Sequence, residues 1–522
     1  MADSTIVTEP VVVTDAPAAA ASATRSAGKN YGKTAKVGAL WAVGREWVTQ
    51  LLGIPTALLL ARLLSPADFG IAAAATFFIQ LGKKLGNMGL NTALVRMKDV
   101  REEHRASVFV INLVFCLTAW TVLMFSAPSI ANLYEDQRVA GAVRVAATIF
   151  LVNFFGAVEY AVLQRDMKFK EMAFIEWITP LCFMPIAVGM AFAGYGYWSL
   201  LVGHVVANMA STFGKVYYGG WRPSLRVTRR GLAETVPFGM GVYAKRLLGY
   251  AAENLDSFMV GSLLGVTSLG FYDKAFNTTD NLANRLSLGG NVVFRIFAII
   301  QDQRDRFVKA YAKVVIAGTI VTLPVFAGLI VSAHEFIIVA FGTKWLPAVV
   351  PFQLLCAAGA LRQLSGNSSA VVQASGQIWG EVWRRVIYVI MLGVLLFSFR
   401  TWGITGAAAG VLLSNLVNVL LMQALVAKIL SLSWGELTTP LVPGVVCALG
   451  TAAVTAAAKA AVLAAFPDTP DWILLGVQTV AGGIFWVLFA LFGKFRSLQD
   501  VVSEVLEDVV PGPIRKVIKR FR

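Results

Sequence analysis

Long apolar stretches alternate with short polar ones along nearly the whole chain. A helix needs about 20 apolar residues to cross the roughly 30 Å hydrocarbon layer of a bilayer, and about fourteen stretches meet that length. They fall into two groups of six and a final pair, at about residues 38–61, 69–94, 106–127, 139–162, 172–193 and 197–218, then 235–259, 270–294, 314–337, 346–373, 383–400 and 403–427, then 440–466 and 472–493. The pattern predicts an all-α integral membrane protein with about 14 transmembrane helices.

A short sequence recurs in both groups of six. Ala61 to Gly70 reads ARLLSPADFG, and Gly261 to Gly270 reads GSLLGVTSLG, at a shift of 200 residues. Self-similarity of this kind inside hydrophobic helices indicates a duplicated unit, and an even number of spans gives both copies one orientation. We therefore predict two six-helix lobes in a parallel pseudo-repeat plus two C-terminal helices. The predicted segments are a disordered cytoplasmic tail at 1–35, lobes at 36–230 and 231–430, two additional helices at 431–495 and a basic cytoplasmic tail at 496–522.

Composition and charge support a multi-pass membrane protein and give it an orientation. The chain is 57% hydrophobic and 14% charged, with a mean hydropathy of +0.68, whereas soluble domains carry about 25% charged residues. With the N-terminus inside, 31 Lys and Arg fall in cytoplasmic segments and five in outer loops. Basic residues are retained on the cytoplasmic side, so both termini are predicted to be cytoplasmic. The net charge of +15 then faces anionic lipid headgroups, and no nucleic-acid partner is needed to explain it.

Polar residues inside the predicted spans indicate a cavity between the two copies. Gln80, Lys84, Asn87 and Asn91 share one face of the second span, and its repeat mate carries a comparable face between 277 and 291. Charges within spans are costly and usually functional. The candidate ligand-binding residues are Arg45, Lys83, Lys84, Asn87, Asn91, Lys245, Arg246, Tyr250, Asn284, Arg285 and Arg362. The candidate carboxylates for ion coupling are Glu46, Glu159, Glu253 and Asp280.

Structural roles compete with these functional ones. Arg45 with Glu46, and Arg246 with Glu253, could be buried ion pairs that only fix helix packing. Lys459 is expected to extend toward the headgroups from a span end. Three residues near the predicted outer surface are expected to be loop and cap residues, namely Arg62, Asp68 and Asp256.

The sequence offers no catalytic constellation. His104, His204 and His334 are isolated from one another, and the four cysteines are scattered singly inside spans. There is no GxxxxGK[ST] motif for nucleotide phosphates, and the predicted loops are too short for a soluble catalytic domain. We therefore predict a protein that is not an enzyme and uses no cofactor or metal.

Several segments together resemble one membrane-protein family. They are ARLLSPADFG, GLNTALVR at 89–96, LQRDMKFK at 163–170, GYGYWSLLVG at 194–203, WRPSL at 221–225, NLDSFMVGSLLGVTSLGFYDKA at 254–275 and FGTKW at 341–345. Because these segments occur together and in this order, the chain resembles the polysaccharide exporter branch (Wzx-type flippases of lipid-linked oligosaccharides) of the multidrug, oligosaccharidyl-lipid and polysaccharide exporter superfamily. The resemblance covers nearly all of residues 36–495.

The resemblance implies an activity, a location and partners. The expected activity is movement of an undecaprenyl-diphosphate-linked oligosaccharide from the inner to the outer leaflet of the bacterial cytoplasmic membrane, by alternating access, for exopolysaccharide, capsule or O-antigen synthesis. Expected partners are this anionic lipid, membrane lipids and the polysaccharide polymerase machinery, with the transporter itself a monomer. The alternatives are an ion-coupled multidrug exporter or a peptidoglycan-precursor flippase of the same superfamily and, from a different class, a membrane glycosyltransferase or ligase.

Overall fold

The structure is a computed structural model that describes residues 46–86, 101–220, 228–287 and 290–493, with isolated positions at 41, 44, 91, 94, 95, 97, 100, 224, 495 and 499. Within these ranges, the side chains at 82–86, 229–248, 251, 290–292 and 378 are outside the description. The predicted tail at 1–35 lies outside the described residues, as does nearly all of the tail at 496–522.

The described elements are helices joined by short turns. They are α1 (46–63), α2 (Pro66–Gly86), α3 (Glu102–Leu133), α4 (Arg138–Asn153), α5 (Ala157–Arg165), α6 (Phe169–Phe192), α7 (Trp198–Gly219), α8 (Arg229–Leu286), α9 (Gly290–Ile300), α10 (Arg304–Val331), α11 (Ala333–Phe341), α12 (Val349–Ala374), α13 (Ile378–Ser398), α14 (Gly403–Leu430), α15 (Trp434–Thr438), α16 (Val442–Ala465) and α17 (Asp471–Phe492). In the described part, nine helical segments are long and apolar enough to span a membrane. A multi-pass, all-helical membrane protein is thus confirmed, while the count of fourteen spans stays a prediction.

The two copies of the repeated sequence form the same corner. In the first copy, α1 ends at 63 and α2 begins at Pro66. In the second copy, α8 bends at Gly265, whose φ of 81° and ψ of 169° interrupt the helix. A positive φ costs glycine little because it has no Cβ. We call the end of the molecule that holds both corners the predicted outer end.

Two interruptions fall inside predicted spans. A 3₁₀ turn at Phe154–Gly156 separates α4 from α5 within the span predicted at 139–162. Ser332 separates α10 from α11 within the span predicted at 314–337. The first stretch remains largely apolar across its break, so hydropathy alone cannot show it, whereas Ser332 is closely followed by His334 and Glu335.

We group the described helices by chain order into an N-terminal bundle (46–219) and a C-terminal bundle (229–430). Within the N-terminal bundle α6 packs on α7 and α3 on α4, and within the C-terminal bundle α12 packs on α14. The most extensive contact between the bundles joins α2 to α8. There the backbones meet at the repeated glycines, because a Cβ on Gly70 would overlap the carbonyl of Val266, and one on Gly270 would overlap that of Pro66. The lobe boundaries at 36–230 and 231–430 stay a prediction.

The last two long helices are held against α10. A Cβ on Gly444 of α16 would lie 2.6 Å from the Thr319 side chain, and the Trp486 indole donates to the Ile320 carbonyl at 2.7 Å. Lys459 forms an ion pair with Glu335 at 2.5 Å, and that glutamate side chain is 2% exposed. The prediction that Lys459 extends toward the headgroups is therefore wrong, since a carboxylate buried at α11 offers it a stronger partner than the headgroup region does.

Candidate functional site

A polar cavity of about 590 Å³ lies inside the C-terminal bundle. Four helices line it, α8, α12, α13 and α14, and each contributes polar side chains. Its carboxylates are Glu253, Asp256, Asp280 and Glu381, and its guanidinium groups are Arg362 and Arg385. Amides and rings complete the wall, namely Asn254, Asn277, Asn284, Asn415, Asn418, Phe276 and Tyr388.

Arg362 is held between an acid and an aromatic ring. Its Nη1 lies 3.1 Å from Oδ1 of Asp280, and its guanidinium carbon lies 4.8 Å from the centre of the Phe276 ring. The Nε and Nη2 atoms of Arg362 are buried without a hydrogen-bond partner among the described residues. Asp280 also accepts a hydrogen bond from Asn284 at 2.9 Å. Arg362 thus keeps donors that a ligand in the cavity can use.

The other charges of the cavity are also compensated. Arg385 pairs with Glu253 at 3.2 Å. Glu381 accepts from the Ser369 hydroxyl at 2.5 Å and from the Gln373 amide at 3.3 Å. Two of the four carboxylates therefore have an arginine partner, and a third is bound by neutral donors.

Asp256 is not the outer cap residue that the sequence predicted. It is buried, with 4% of its surface exposed, and it accepts from the Tyr272 hydroxyl at 2.7 Å and the Ser257 amide at 2.9 Å. Asp256 lies within α8 and not at its end, because α8 continues beyond it as a regular helix to the bend at Gly265. Asp68 does act as a cap, since its carboxylate accepts from the Ser65 amide at 2.9 Å.

The structure brings together some of the predicted ligand-binding residues and separates others. Asn284 and Arg362 line the cavity with the predicted coupling residues Glu253 and Asp280. Arg285 lies beside it and donates to Gln50 at 3.1 Å, which links the two bundles. The side chains of the remaining cationic candidates and of one amide lie outside the described residues, namely Arg45, Lys83, Lys84, Asn87, Lys245 and Arg246.

Three further candidates contact other parts of the protein. The Tyr250 hydroxyl donates to the Phe77 carbonyl at 2.6 Å, so this tyrosine joins the bundles and does not line the cavity. Asn91 accepts from Asn112 at 3.3 Å within the N-terminal bundle. Glu46 is exposed and accepts from Gln50 at 2.8 Å.

Three charged residues of the cavity are absent from the predicted site residues, namely Asp256, Glu381 and Arg385. The predicted span begins at about 383, so Arg385 lies at its edge and Glu381 before it, whereas α13 already begins at Ile378. Their spacing was the available signal, because residues four apart share a helix face. The described cavity consequently holds four carboxylates, two more than the predicted site residues supply.

Glu159 is isolated inside the N-terminal bundle, on α5. It is 0% exposed, and neither of its carboxylate oxygens has a hydrogen-bond partner among the described residues. A Cβ on Gly219 would lie 2.5 Å from that of Glu159, so the end of α7 packs directly on this side chain. Arg105 and Lys215 are the cations whose charges act on it, but neither forms an ion pair with it in the described part of the chain.

Comparisons with known proteins identify the family of this chain. Proteins similar to it include an uncharacterized membrane protein in the cps region of Klebsiella pneumoniae, which is 25% identical over 399 residues, covering 74% of this chain and 81% of that protein. The lipopolysaccharide biosynthesis protein WzxC of Escherichia coli (strain K12) is 22% identical over 75% of this chain and 80% of its own length. The succinoglycan biosynthesis transport protein ExoT of Rhizobium meliloti (strain 1021) is 27% identical over 58% of this chain and 62% of its own length.

Solved structures share the fold at low sequence identity. The lipid II flippase MurJ in an inward closed conformation has a TM-score of 0.67 at 15% identity, covering 90% of this chain and all of that one. An inward-facing multidrug resistance MATE family transporter of the MOP superfamily has a TM-score of 0.59 at 15% identity, covering 74% of this chain and 96% of that one. The family model described as polysaccharide biosynthesis protein matches residues 59–350, which is more than half of the chain. The chain belongs to the polysaccharide biosynthesis protein family.

Proposed function

We propose that this protein moves an undecaprenyl-diphosphate-linked oligosaccharide from the inner to the outer leaflet of the bacterial cytoplasmic membrane, for the synthesis of a surface polysaccharide. The observation that carries the proposal is a cavity of about 590 Å³ lined by amides, paired charges and aromatic rings inside a membrane-embedded helix bundle. The family and its relatives with biosynthesis and transport names support the same substrate class.

The chemistry of the cavity suits the sugar part of such a substrate. Hydroxyl groups of a sugar both donate and accept, and Asn, Asp and Arg side chains offer complementary atoms. Phe276 and Tyr388 add ring faces on which the apolar side of a sugar can pack. The free donors of Arg362 are available for a sugar hydroxyl.

The diphosphate needs cations that are not already neutralised by carboxylates. Arg362 and Arg385 are each paired with an acid, so we assign the diphosphate to the remaining predicted basic residues. These are Arg45, Lys83, Lys84, Lys245, Arg246 and Arg285. Neighbouring amides at Asn87 and Asn91 are assigned to the first sugar.

An ion gradient is proposed to drive the transport cycle. Among the four candidate carboxylates, Glu253 and Asp280 are paired with arginines, and Glu46 is exposed. Glu159 is the candidate that is buried without a partner among the described residues. A buried carboxylate of this kind is neutral or needs a cation, so Glu159 is the proposed coupling group.

One observation favours a second candidate function. Four carboxylates in one cavity suit cationic compounds, as expected for a multidrug exporter. Two of them are neutralised by arginine, which weakens the attraction for a cation and favours the oligosaccharide. A peptidoglycan-precursor flippase would carry the same diphosphate chemistry and differ in its sugars.

The proposal is tested by deleting the gene in its host and measuring surface polysaccharide together with the lipid-linked precursor. We expect loss of the polymer and accumulation of the precursor at the cytoplasmic face, restored by the wild-type gene and by the control variant Arg400→Ala. Unchanged polymer, or unchanged export of precursor with loss of cationic drug efflux, contradicts the proposal.

A further inference from the structure

Basic residues are rare in the predicted outer loops, and two of the five have an ordinary local role. The five are Arg62, Arg138, Arg144, Lys344 and Arg400. Arg138 pairs with Asp136 at 2.7 Å, and Arg400 stacks on Phe397 at 4.1 Å from the ring centre. Arg62 and Lys344 instead converge where α1 meets the C-terminal bundle, together with Lys274 from α8. Because basic residues are disfavoured on this side, their convergence calls for a reason.

All three cations are bonded to backbone carbonyls across the boundary between the bundles. Lys344 donates to the carbonyl of Arg62 at 2.8 Å and to that of Leu64. Lys274 donates to the carbonyl of Ala57 at 3.1 Å. In the opposite direction, the Arg62 guanidinium donates to the carbonyl of Val339. We call Arg62, Lys274 and Lys344 the latch cations.

The latch cations have no carboxylate partner among the described residues, since none of the ion pairs found there includes them. Asp273 is an acid whose charge acts on Lys274 without forming an ion pair with it. Asp68 is an acid whose charge acts on Lys344, and its oxygens are already engaged. Its Oδ2 accepts from the Ser65 amide and its Oδ1 from the Tyr197 amide, both at 2.9 Å. A lysine or arginine bonds an anionic oxygen more strongly than a neutral carbonyl.

Opening this end must break all of these bonds together. Their donors and acceptors belong to different bundles, and the backbones of α2 and α8 meet at Gly70 and Gly270 in the same closure. Separation therefore deprives three cations of their carbonyl acceptors at one opening. Phe69 and Phe341 flank Lys274, each with its ring centre 4.8 Å from the ammonium group, which makes the surroundings partly apolar.

We propose that the opened outer end is a diphosphate-binding site formed by Arg62, Lys274 and Lys344, which exchange backbone carbonyls for the diphosphate of the departing lipid. The inference rests on the proposed function for its substrate class. While a diphosphate occupies the site, the latch cations are not available to the carbonyls at the end of α1, so the outer end stays open. Release of the diphosphate returns the cations to these carbonyls and closes the protein.

The test measures the exposure of Ala61, which is 0% exposed and whose carbonyl accepts from the Trp345 indole at 2.9 Å in the closed form. Ala61→Cys is combined with Cys182→Ala, because the other three cysteines are buried. In proteoliposomes, a membrane-impermeant maleimide added outside reports opening. We expect inorganic pyrophosphate outside to accelerate labelling several-fold, and sulfate at equal ionic strength to leave it unchanged.

Variants distinguish cations that bind diphosphate from cations that only hold the outer end closed. Lys274→Gln with Lys344→Gln should label quickly without any anion, because the latch is weakened, and pyrophosphate should add nothing. The control Arg400→Gln should respond to pyrophosphate like the parent protein. An equal response in the double variant, or a parent protein that responds to no diphosphate, overturns the proposal.

The two sources of diphosphate are distinguished by vesicles containing a polyprenyl diphosphate or a polyprenyl monophosphate. Acceleration by either the lipid diphosphate or free pyrophosphate, but not by the monophosphate, supports the site and shows which form it binds. Equal acceleration by the monophosphate contradicts diphosphate recognition. Oligosaccharide-lipid transport without any labelling response overturns only the latch site, whereas a labelling response without transport overturns the proposed function.

Discussion

Arg362 illustrates how single residues build the cavity. One nitrogen neutralises Asp280 while two others remain unbonded among the described residues. We expect Arg362→Ala to lower the transport rate about tenfold, the effect of losing one charge-assisted hydrogen bond of roughly 1.5 kcal/mol. Arg362→Lys should retain part of the rate because the charge remains but the planar fork is lost. Equal transport by all three proteins, measured at equal membrane abundance, would contradict this role.

Asp136 provides a residue-scale prediction for pH. In the turn before α4, hydrogen bonds from the Arg138 side chain hold the pKa of this carboxyl below its ordinary value. A lowered pKa in the folded state stabilises the protein above the unfolded pKa of about 3.9, and this stability is lost as pH falls through the folded pKa. The pair is partly exposed, so Asp136→Asn should lower stability by at most about 1 kcal/mol at neutral pH.

The measurement for Asp136 is thermal unfolding in detergent as a function of pH. The parent protein and Asp136→Asn should differ at pH 7, and the difference should shrink as pH falls below about 3.9. A difference that is independent of pH would rule out the carboxylate as its source.

At the scale of single residues, the sequence predicted which residues line the cavity better than it predicted which residues pair with each other. Asn284, Arg362, Glu253 and Asp280 were predicted as site residues and do line one cavity. Arg385 lies at the edge of the span predicted to begin at about 383 and was not a predicted site residue, whereas α13 begins at Ile378 and places it more than a turn inside the helix. Pairing such as that of Lys459 with Glu335 joins residues 124 positions apart, and periodicity within one helix carries no information about such contacts.

At the scale of elements, the contact between α2 and α8 determines whether the outer end can close. We expect Gly270→Ala to prevent the close approach, because the added Cβ would overlap the Pro66 carbonyl. With Ala61→Cys as reporter, external maleimide should label this variant faster than the parent protein. Gly249→Ala is the matched control on the same helix, since nothing lies within 4 Å of its Cβ position. Equal labelling of both variants would show that the glycine contact is not needed for closure.

The attachment of the last two long helices gives a second prediction for elements. Lys459→Met leaves Glu335 buried and unpaired, which should cost roughly 3 kcal/mol. The thermal midpoint in detergent should fall by several degrees, and Glu335→Gln in the same chain should recover most of the loss. A double variant as unstable as the single one would show that Lys459 acts through packing and not through charge.

Helix positions were predictable, whereas most helix interruptions were not. Apolar runs of about 20 residues located the long helices because the hydrocarbon layer sets their length. The break at Phe154–Gly156 leaves the run largely apolar, so only backbone geometry reveals it, whereas the break at Ser332 is followed by the polar residues His334 and Glu335. The bend at Gly265 was indicated by the repeat, which aligns it with the turn between α1 and α2.

At the scale of the whole molecule, the duplicated sequence corresponds to two bundles that touch at equivalent glycines. The repeat predicted that the segments around Gly70 and Gly270 occupy matching corners, and the structure adds that these corners contact each other. Charge is distributed unequally between the copies. Acids concentrate in the C-terminal cavity, while Lys84 in the first copy corresponds to Asn284 in the second. A hydropathy pattern cannot predict such a division, since it records burial and not which helices surround a cavity.

The central claim is that this chain alone moves a diphosphate-linked oligosaccharide lipid across a bilayer. The most direct measurement places purified protein in proteoliposomes that carry this lipid in the inner leaflet, and follows the arrival of its sugars at the outer surface with an impermeant lectin. The account predicts arrival that depends on the protein, falls about tenfold with Arg362→Ala and is unchanged with Arg400→Ala. Two results would contradict it: sugars that stay inside although the protein is folded and correctly inserted, or sugars that arrive equally in liposomes without the protein.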